Sequence, residues 1–436
     1  MTRDDAASGI GRRTFLRGTG AAIALSALMT GTAAAQGRPA PAGGGYGPLV
    51  PAPGGELLLP EGFTYVAFGR TGEPMSDGTP TPGSHDGMAA FAAGPNLVRL
   101  VRNHERGAAP AFASPSYDPQ AGGGTTTIAF DTAAMAPVST LPSLAGTIRN
   151  CAGGPTPKGS WLSCEETFTG LDVPVPHGYV FEVPATADAP VQPVPLKAMG
   201  RFVHEAVAVD PATGIVYETE DAGLSGLYRF VPNNRDDLAA GGTLEMLAIK
   251  DRPQYDTRTG QRVGPNLPVT WVPIADPDPD SSDSSAVYNQ GHALGGATFA
   301  RLEGAWWGDG AAYIVSTSGG DLGAGQVWEY RPRGNSGGQL RLVYESTDRD
   351  VLESPDNITV SPRTNGLVLC EDGGGKDFVR GVSTDGEVFP FCEVNGGNSS
   401  EWAGATFSPD GKVLFVNLQT PGVSYAITGP WERGAL

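Results

Sequence analysis

Short clusters of acidic residues recur along the chain, each at the end of a run of β-forming residues. Carboxylates packed within a few ångströms of one another repel, so such a group either takes up protons or binds cations. Hard cations such as calcium prefer oxygen ligands of this kind. Glu371 and Asp372 stand beside Gly373 and are equally typical of a polar turn, so the repetition of the clusters, not any single acid, predicts a cation site. The clusters are Asn103-His104-Glu105, Cys164-Glu165-Glu166, His204-Glu205, Thr219-Glu220-Asp221, Arg301-Leu302-Glu303, Pro355-Asp356-Asn357, Cys370-Glu371-Asp372 and Ser400-Glu401-Trp402.

One of the four cysteines lies in a glycine-rich segment that leads into an acidic cluster. Cys151 precedes Gly153-Gly154, and the segment ends in Glu165-Glu166. In an exported protein, four cysteines are typical of disulfides. A thiolate among carboxylates is instead a ligand for iron or another transition metal. By chemistry alone, Cys151 stays open between a disulfide and a metal ligand.

The elements that must position these clusters are β-strands. The 436 residues include 63 Gly and 38 Pro, which disfavour long helices. Segments 206–217, 358–369 and 405–416 each alternate apolar and polar residues around a turn rich in Pro, Asp, Asn and Gly, a pattern typical of β-hairpins. The recurrence of such hairpins at roughly 50-residue intervals indicates stacked blades. We predict an all-β fold, a β-propeller of about five or six blades with loop insertions, as a single domain over 61–436.

A propeller would also explain how distant acids form one site. The innermost strand of every blade lines the central axis, so equivalent strand ends meet there although they are far apart in the sequence. The acidic clusters are therefore expected to gather at one end of the axis.

Residues 1–35 are typical of a twin-arginine export signal. Arg12-Arg13 precede an apolar run over 20–35 that ends in Ala33-Ala34-Ala35. We expect cleavage near Ala35, with an uncleaved or lipid-held form as the alternative, followed by a Gly/Pro/Ala-rich linker over 36–60. No later apolar run has the length of about 20 residues that crosses a bilayer, so we expect no stable membrane span. The protein is expected to engage the twin-arginine translocon and to be extracellular, periplasmic or associated with the cell wall.

The charge of the chain bears on its partners. The net charge of −18 at pH 7 leaves no evident basic stripe for a polyanion, which argues against nucleic acid. We expect a monomer that acts on a small molecule.

Several stretches together resemble one family, the PhoX-type bacterial alkaline phosphatases. They include residues 150–166, His85-Asp86-Gly87-Met88, residues 200–206 and Glu401-Trp402-Ala403-Gly404, in the family's order along the chain. The sequence departs from the family pattern at Lys158, where an aromatic residue is usual, and at Leu302, where proline is common.

The resemblance implies a propeller phosphatase that hydrolyses phosphate monoesters with a pair of ferric ions and additional calcium ions. It implies that Cys151 is an iron-bound thiolate and that Glu166, Glu205 and Glu303 are carboxylates of the metal cluster. It also implies that Arg301 meets the phosphoryl oxygens, which makes Arg301 and Glu303 the expected catalytic residues. Further ligands, mainly for calcium, are expected at Glu105, Glu220, Asp221, Asp356 and Glu401.

Two other classes of protein remain open. The first is a calcium-dependent, lactonase-like propeller hydrolase, which needs one buried divalent ion and no thiolate ligand. The second is a non-catalytic propeller whose acidic ring binds calcium to stiffen the fold or to hold a partner. Iron content and phosphatase activity distinguish these classes from a PhoX-type enzyme.

Overall fold

The computed structural model describes residues 45–168, 175–334, 337–397 and 400–436. The predicted export signal, 1–35, and residues 36–44 of the predicted linker lie outside the described residues. All described residues belong to one compact unit, Pro39–Leu436. Within these ranges, no helix is both long and apolar enough to cross a membrane.

The regular structure is almost entirely β. The α-helix α1 spans Ala286–Ala293, and short 3₁₀ helices span Lys197–Met199, Leu238–Ala240 and Trp431–Arg433. The strands are β1 (Leu49–Pro51), β2 (Leu57–Pro60), β3 (Thr64–Phe68), β4 (His85–Gly94), β5 (Leu97–His104), β6 (Gly123–Asp131), β7 (Ala136–Thr147), β8 (Asn150–Pro155), β9 (Ser160–Glu165), β10 (Val180–Pro184), β11 (His204–Val209), β12 (Val216–Glu220), β13 (Leu227–Pro232), β14 (Gly242–Ile249), β15 (Asn266–Pro273), β16 (Leu302–Gly308), β17 (Ala311–Ser316), β18 (Gln326–Arg333), β19 (Gly337–Glu345), β20 (Pro355–Val360), β21 (Leu367–Glu371), β22 (Phe378–Val382), β23 (Val388–Val394), β24 (Trp402–Phe407), β25 (Leu414–Leu418) and β26 (Val423–Thr428).

Six of these strands close a ring. Strands β4, β8, β11, β16, β20 and β24 contact one another in that order, and β24 contacts β4. Each is the inner strand of an antiparallel unit that extends away from the ring, and we call these units blades 1 to 6 in chain order. Pairing between β15 and β19 joins the outer strands of blades 3 and 4. The all-β propeller predicted from the sequence is confirmed.

Strands from the start of the described chain complete two of the blades. Strand β3 pairs with β26, which makes it the outer strand of blade 6, and β2 pairs with β23 of blade 5. Within the segment expected as a linker, residues 49–51 and 57–60 are therefore strands. The reason is apolar burial: Leu57 and Leu59 are fully buried in the core beside Phe391.

The repeated hairpin turns share one backbone requirement. The turns of the segments 206–217, 358–369 and 405–416 each contain a residue in the left-handed region, which is Gly214 (φ 76°), Asn365 (φ 64°) or Gly411 (φ 68°). Glycine and asparagine adopt this region at little cost, which explains why they recur there.

Candidate metal centre

Each inner strand is irregular near one end of the ring, which we call the mouth. In blade 1, His85 pairs with His104 and Met88 pairs with Arg102, so two residues of the inner strand stand opposite one residue of the second strand. The other five inner strands show a register shift near the same end. A β-bulge of this kind re-aims side chains and is common beside functional sites.

The first bulge residue carries a potential ligand atom in five of the six blades. Counted from the strand pair nearest the mouth, the first bulge residues of blades 1 to 5 are Asp86, Cys151, Glu205, Glu303 and Asp356, and the equivalent position in blade 6 is Ala403, which still pairs with Asn417. Blade 6 is the exception, and there Glu401 lies two residues before Ala403. The fold thus brings five donor side chains to equivalent places around one axis, although they are spread over 271 residues of the sequence, from 86 to 356.

The next residue of each inner strand lines a narrow cavity on the axis, and most of these six residues are small. They are Gly87, Ala152, Ala206, Gly304, Asn357 and Gly404. A Cβ atom at Gly304 would lie 2.6 Å from the backbone oxygen of Asp356, so no side chain fits there. Asn357 is the one large member. Its Nδ2 donates to Oδ1 of Asp356 at 2.6 Å, and its Oδ1 accepts the Gly404 N–H at 2.8 Å.

The second strand of each blade ends at the mouth with another ring of residues. Their backbone N–H groups donate to the carbonyl of the residue that precedes the neighbouring inner strand, as Glu105 does to Ser84 and Glu166 does to Arg149. The ring consists of Glu105, Glu166, Asp221, Thr317, Asp372 and Gln419. Four of its six members are acids, so the mouth carries a second layer of carboxylates.

Among the residues that the structure describes, three groups of side chains place their ligand atoms within 4.8 Å of one another. They are Cys151–Glu166–Glu205, Glu205–Glu303–Asp356 and Asp86–Glu105–Glu401. The first combines a thiol with carboxylates, a donor set that suits iron or another transition metal. The other two offer only oxygen, which suits calcium and also ferric iron. Glu205 belongs to two groups, so two of the candidate sites adjoin.

The electrostatics of the mouth show why these acids need a counter-charge. Burial, with Glu303 and Asp356 adding repulsion, raises the pKa of Glu205 well above its usual range. Burial likewise raises the pKa of Asp86 and of Glu401. For Glu166, burial and the neighbouring Glu105 and Asp221 outweigh the attraction of Arg149 and raise the pKa to about 9.

The same forces act on Asp356 and on the thiol. Burial and the charge of Asp372 raise the pKa of Asp356 to about 7. Burial raises the pKa of Cys151 strongly, and the nearby carboxylates add to it. Bound cations would reverse these shifts by stabilising the carboxylates and the thiolate. The donor set therefore fits metal ions.

Two arginines supply positive charge at the mouth. Arg301 donates from Nε to Oδ1 of Asp221 at 2.8 Å and from Nη2 to Oδ2 at 3.0 Å, and Nη2 also donates to Oε1 of Glu303 at 2.6 Å. Arg149 donates from Nε to Oε1 of Glu105 at 3.1 Å and from Nη2 to Glu166. The carboxylates raise the pKa of both guanidinium groups, so both are charged at all relevant pH values.

The structure does not bring Glu220 to the mouth, unlike the other predicted ligands. Its Oε2 accepts the Gly226 N–H at 2.9 Å and the Tyr228 hydroxyl at 2.8 Å within blade 3. Burial raises the pKa of Glu220 to about 7. Adjacent residues of a strand point to opposite faces, so Glu220 faces the blade interior whereas Asp221 lies at the mouth with Arg301. Asp221 is outside the three ligand groups and contacts the centre through Arg301.

The four cysteines are all free thiols. Cys151 lies 3.5 Å from the His204 carbonyl and 3.7 Å from the Glu205 carbonyl, measured from Sγ. The disulfide alternative for Cys151 therefore finds no support in the structure.

Asp86 and Arg149 are among the residues at the mouth to which sequence reasoning assigned no role in the site. The signal for Asp86 was present, since a ligand-type residue followed by Gly or Ala recurs as Asp86-Gly87, Cys151-Ala152, Glu205-Ala206 and Glu303-Gly304. The only signal for Arg149 was its position one residue before an inner strand, and Arg301 occupies the same position in its own blade.

The fold and the mouth together define a class: a β-propeller whose axis ends in a multi-carboxylate centre suited to cations. The particular family follows from comparison with known proteins. The family model "Alkaline phosphatase PhoX" matches residues 44–140 and 135–422, and the chain belongs to this family. Members of this family are phosphoric monoester hydrolases. The match to the family confirms the resemblance seen in the sequence. Among curated protein sequences, none matches the chain significantly.

The chain resembles several solved structures to different degrees. Pseudomonas fluorescens PhoX in complex with vanadate, a transition-state analogue, is 17% identical with a TM-score of 0.66, over 89% of this chain and 98% of that one. A Xanthomonas campestris gluconolactonase is 15% identical with a TM-score of 0.43, over 90% of this chain and 99% of that one. The Pseudomonas aeruginosa periplasmic gluconolactonase is 16% identical with a TM-score of 0.41, over 82% of this chain and 90% of that one.

Proposed function

We propose that this protein is an exported phosphatase that hydrolyses phosphate monoesters at the mouth of the propeller, with a pair of Fe³⁺ ions and additional Ca²⁺ ions. The observation that carries the proposal is the convergence of five bulge residues, Asp86, Cys151, Glu205, Glu303 and Asp356, on one end of the axis. Membership of the PhoX family supplies the reaction class.

The donor chemistry suggests which residues hold which ion. Cys151, with Glu166 and Glu205, fits iron because a thiolate is a poor ligand for calcium. Glu303 and Asp356 extend this cluster through the shared Glu205. Asp86, Glu105 and Glu401 offer only oxygen and fit calcium. When bound, such cations supply Lewis acidity and neutralise charge on the phosphoryl oxygens.

Arg301 has the geometry to bind and orient the phosphoryl group. Asp221 holds its guanidinium by two hydrogen bonds, and Glu303 holds it by a third. Its side chain is nevertheless 45% exposed, so it remains accessible to a substrate that enters the mouth. Within the described residues the two N–H groups of Nη1 make no hydrogen bond, and Asp221 and Glu303 fix the plane in which they lie, so they can donate to phosphate oxygens with a fixed geometry that a lysine ammonium lacks.

Elemental analysis of the purified, folded protein, together with hydrolysis of p-nitrophenyl phosphate, tests the proposal. We expect iron and calcium in the protein and hydrolysis that a chelator abolishes. Calcium without iron, with hydrolysis of a lactone and not of the phosphate ester, would identify a lactonase-like enzyme. Calcium without either activity would identify a non-catalytic propeller.

Export has its own test. We propose that residues 1–35 direct the folded protein through the twin-arginine translocon to the periplasm, the cell wall or the medium. Replacing Arg12 and Arg13 together with lysine is expected to retain the protein in the cytoplasm, as measured by cell fractionation. Unchanged export of this variant would contradict the proposed route.

A further inference from the structure

Two arginines occupy the same place in alternate blades. Arg149 precedes the inner strand of blade 2, and Arg301 precedes the inner strand of blade 4. Both have left-handed backbone conformations, with φ of 49° and 46°. The carbonyl of each accepts the N–H of the residue that ends the second strand, which is Glu166 for Arg149 and Thr317 for Arg301. The two blades therefore present their guanidinium groups to the mouth from equivalent positions.

The contacts of Arg149 lie between two of the ligand groups. Its Nε donates to Glu105, which belongs to the group with Asp86 and Glu401, and its Nη2 donates to Glu166, which belongs to the group with Cys151. The Arg149 guanidinium is thus held over the junction of the two groups, as Arg301 is held by Asp221 and Glu303.

Both arginines also keep capacity for another partner. The Arg149 side chain is 48% exposed, close to the 45% of Arg301. Within the described residues, the hydrogen bonds of both side chains use Nε and Nη2, which leaves the two N–H groups of Nη1 available. Held rigidly and still accessible, Arg149 meets the requirements for anion recognition as fully as Arg301 does.

The other residues at this position make the pair distinctive. In the remaining blades the residue is Ser84, Val203, Ser354 or Glu401, so only blades 2 and 4 place a cation there. A phosphate monoester is a dianion at neutral to alkaline pH, and the mouth is otherwise lined by carboxylates that repel it. Two fixed positive charges on either side of blade 3 suit a group with two negative charges.

We infer that Arg149 is a second phosphoryl-contacting residue, which together with Arg301 selects dianionic phosphate monoesters over monoanionic diesters. This inference rests on the proposed phosphatase function and names its substrate-recognition pair. The competing explanation is that Arg149 only braces Glu105 and Glu166 for metal binding.

The variants Arg149→Gln and Arg149→Lys separate these roles, and Arg341→Gln is the matched control. Arg341 is 43% exposed, pairs with Glu329 and lies on β19, an outer strand. For each protein we would measure metal content, binding of inorganic phosphate by calorimetry, and kcat/KM for p-nitrophenyl phosphate and bis-p-nitrophenyl phosphate.

With its metals retained, Arg149→Gln is expected to weaken phosphate binding by about 10- to 100-fold, the effect of losing a charged hydrogen-bond donor. Its preference for the monoester over the diester should fall by a similar factor. Arg149→Lys should be intermediate, because the charge remains and the fork geometry is lost. Arg341→Gln should match the wild type.

Two results would overturn the inference. One is unchanged phosphate affinity in Arg149→Gln with full metal content. The other is loss of metal in that variant with phosphate affinity restored by excess metal, which would make Arg149 a brace only. A metal-loaded wild-type protein that neither binds phosphate nor hydrolyses the monoester would instead refute the proposed function itself.

Discussion

Replacing Gly404 with alanine should destabilise the fold and disturb one ligand group in particular. Gly404 has a φ of 61°, and a Cβ atom there would lie 2.4 Å from the backbone oxygen of Asp86 and 2.7 Å from Nδ2 of Asn417. Asp86 is a member of the group with Glu105 and Glu401, so any shift that relieves the contact moves a candidate ligand.

The magnitude follows from two separable effects. A left-handed conformation costs an alanine roughly 1–2 kcal/mol. Forcing a methyl group into a close-packed site costs about 1–3 kcal/mol more. The lower entropy of the unfolded alanine chain offsets about 0.4–1 kcal/mol of this change. We expect Gly404→Ala to lower the free energy of unfolding by about 1–5 kcal/mol, as measured by denaturant titration.

Two control variants isolate the two effects. Gly260 has a φ of 68° and no atom within 4 Å of a Cβ, so Gly260→Ala tests conformation alone. Gly87 lacks a positive φ, but a Cβ there would lie 2.6 Å from Cα of Ala152, so Gly87→Ala tests crowding alone. Both should destabilise less than Gly404→Ala. If Gly404→Ala were no worse than Gly260→Ala and kept its full calcium content, the reasoning about close packing against Asp86 would be refuted.

The remaining predictions concern charge and metals. Arg301→Ala should lower kcat/KM by roughly 10²-fold with its metals retained, whereas normal turnover would exclude Arg301 from the site. Cys151→Ser should lose iron and keep calcium by elemental analysis, while Cys164→Ser keeps both; equal iron in the two variants would contradict the thiolate assignment. Glu220→Gln should leave the metal content unchanged, because the hydrogen-bond partners of Glu220 lie within its own blade. Loss of metal in this variant would show that Glu220 is a ligand after all. In chelator-treated protein, the pKa of Glu166 is raised to about 9 from an ordinary value of 4.5. Between these pH values Glu166 holds its proton only when the protein is folded, so the free energy of unfolding should fall as the pH rises. In metal-loaded protein the free energy of unfolding should not fall in this way. If the free energy of unfolding changed equally with pH with and without chelator, the prediction would be contradicted.

The sequence was sufficient for the fold because the fold depends on short, repeated signals. Alternating strands around turns with Gly214, Asn365 and Gly411 identify the hairpins, and their recurrence identifies the propeller. The linker expectation overlooked the strands at 49–51 and 57–60, because the short apolar run at 57–59 forms no repeat of its own and becomes a strand by pairing with both β1 and β23. The bulges could not be foreseen either, since a register shift is a property of two paired strands.

The position of Glu220 reflects a general feature of this molecule. Some second strands end in two adjacent acids, and the two side chains face opposite sides of the strand. Blades 2, 3 and 5 end these strands in the pairs Glu165-Glu166, Glu220-Asp221 and Glu371-Asp372. The first acid of each pair accepts hydrogen bonds inside its blade: Glu165 from the N–H groups of residues 178 and 179, Glu220 from that of residue 226, and Glu371 from those of residues 353 and 378.

The second acid of each pair lies at the mouth, because successive residues of a strand face opposite ways. Adjacent carboxylates thus have different roles: the first accepts hydrogen bonds within its blade and the second lies at the mouth, and a shift of one residue would exchange the two roles. The composition of such a pair indicates that an acid is needed at the mouth. Only the strand register, as in the pairing of Asn150 with Glu165, decides that Glu166 is the one that reaches it.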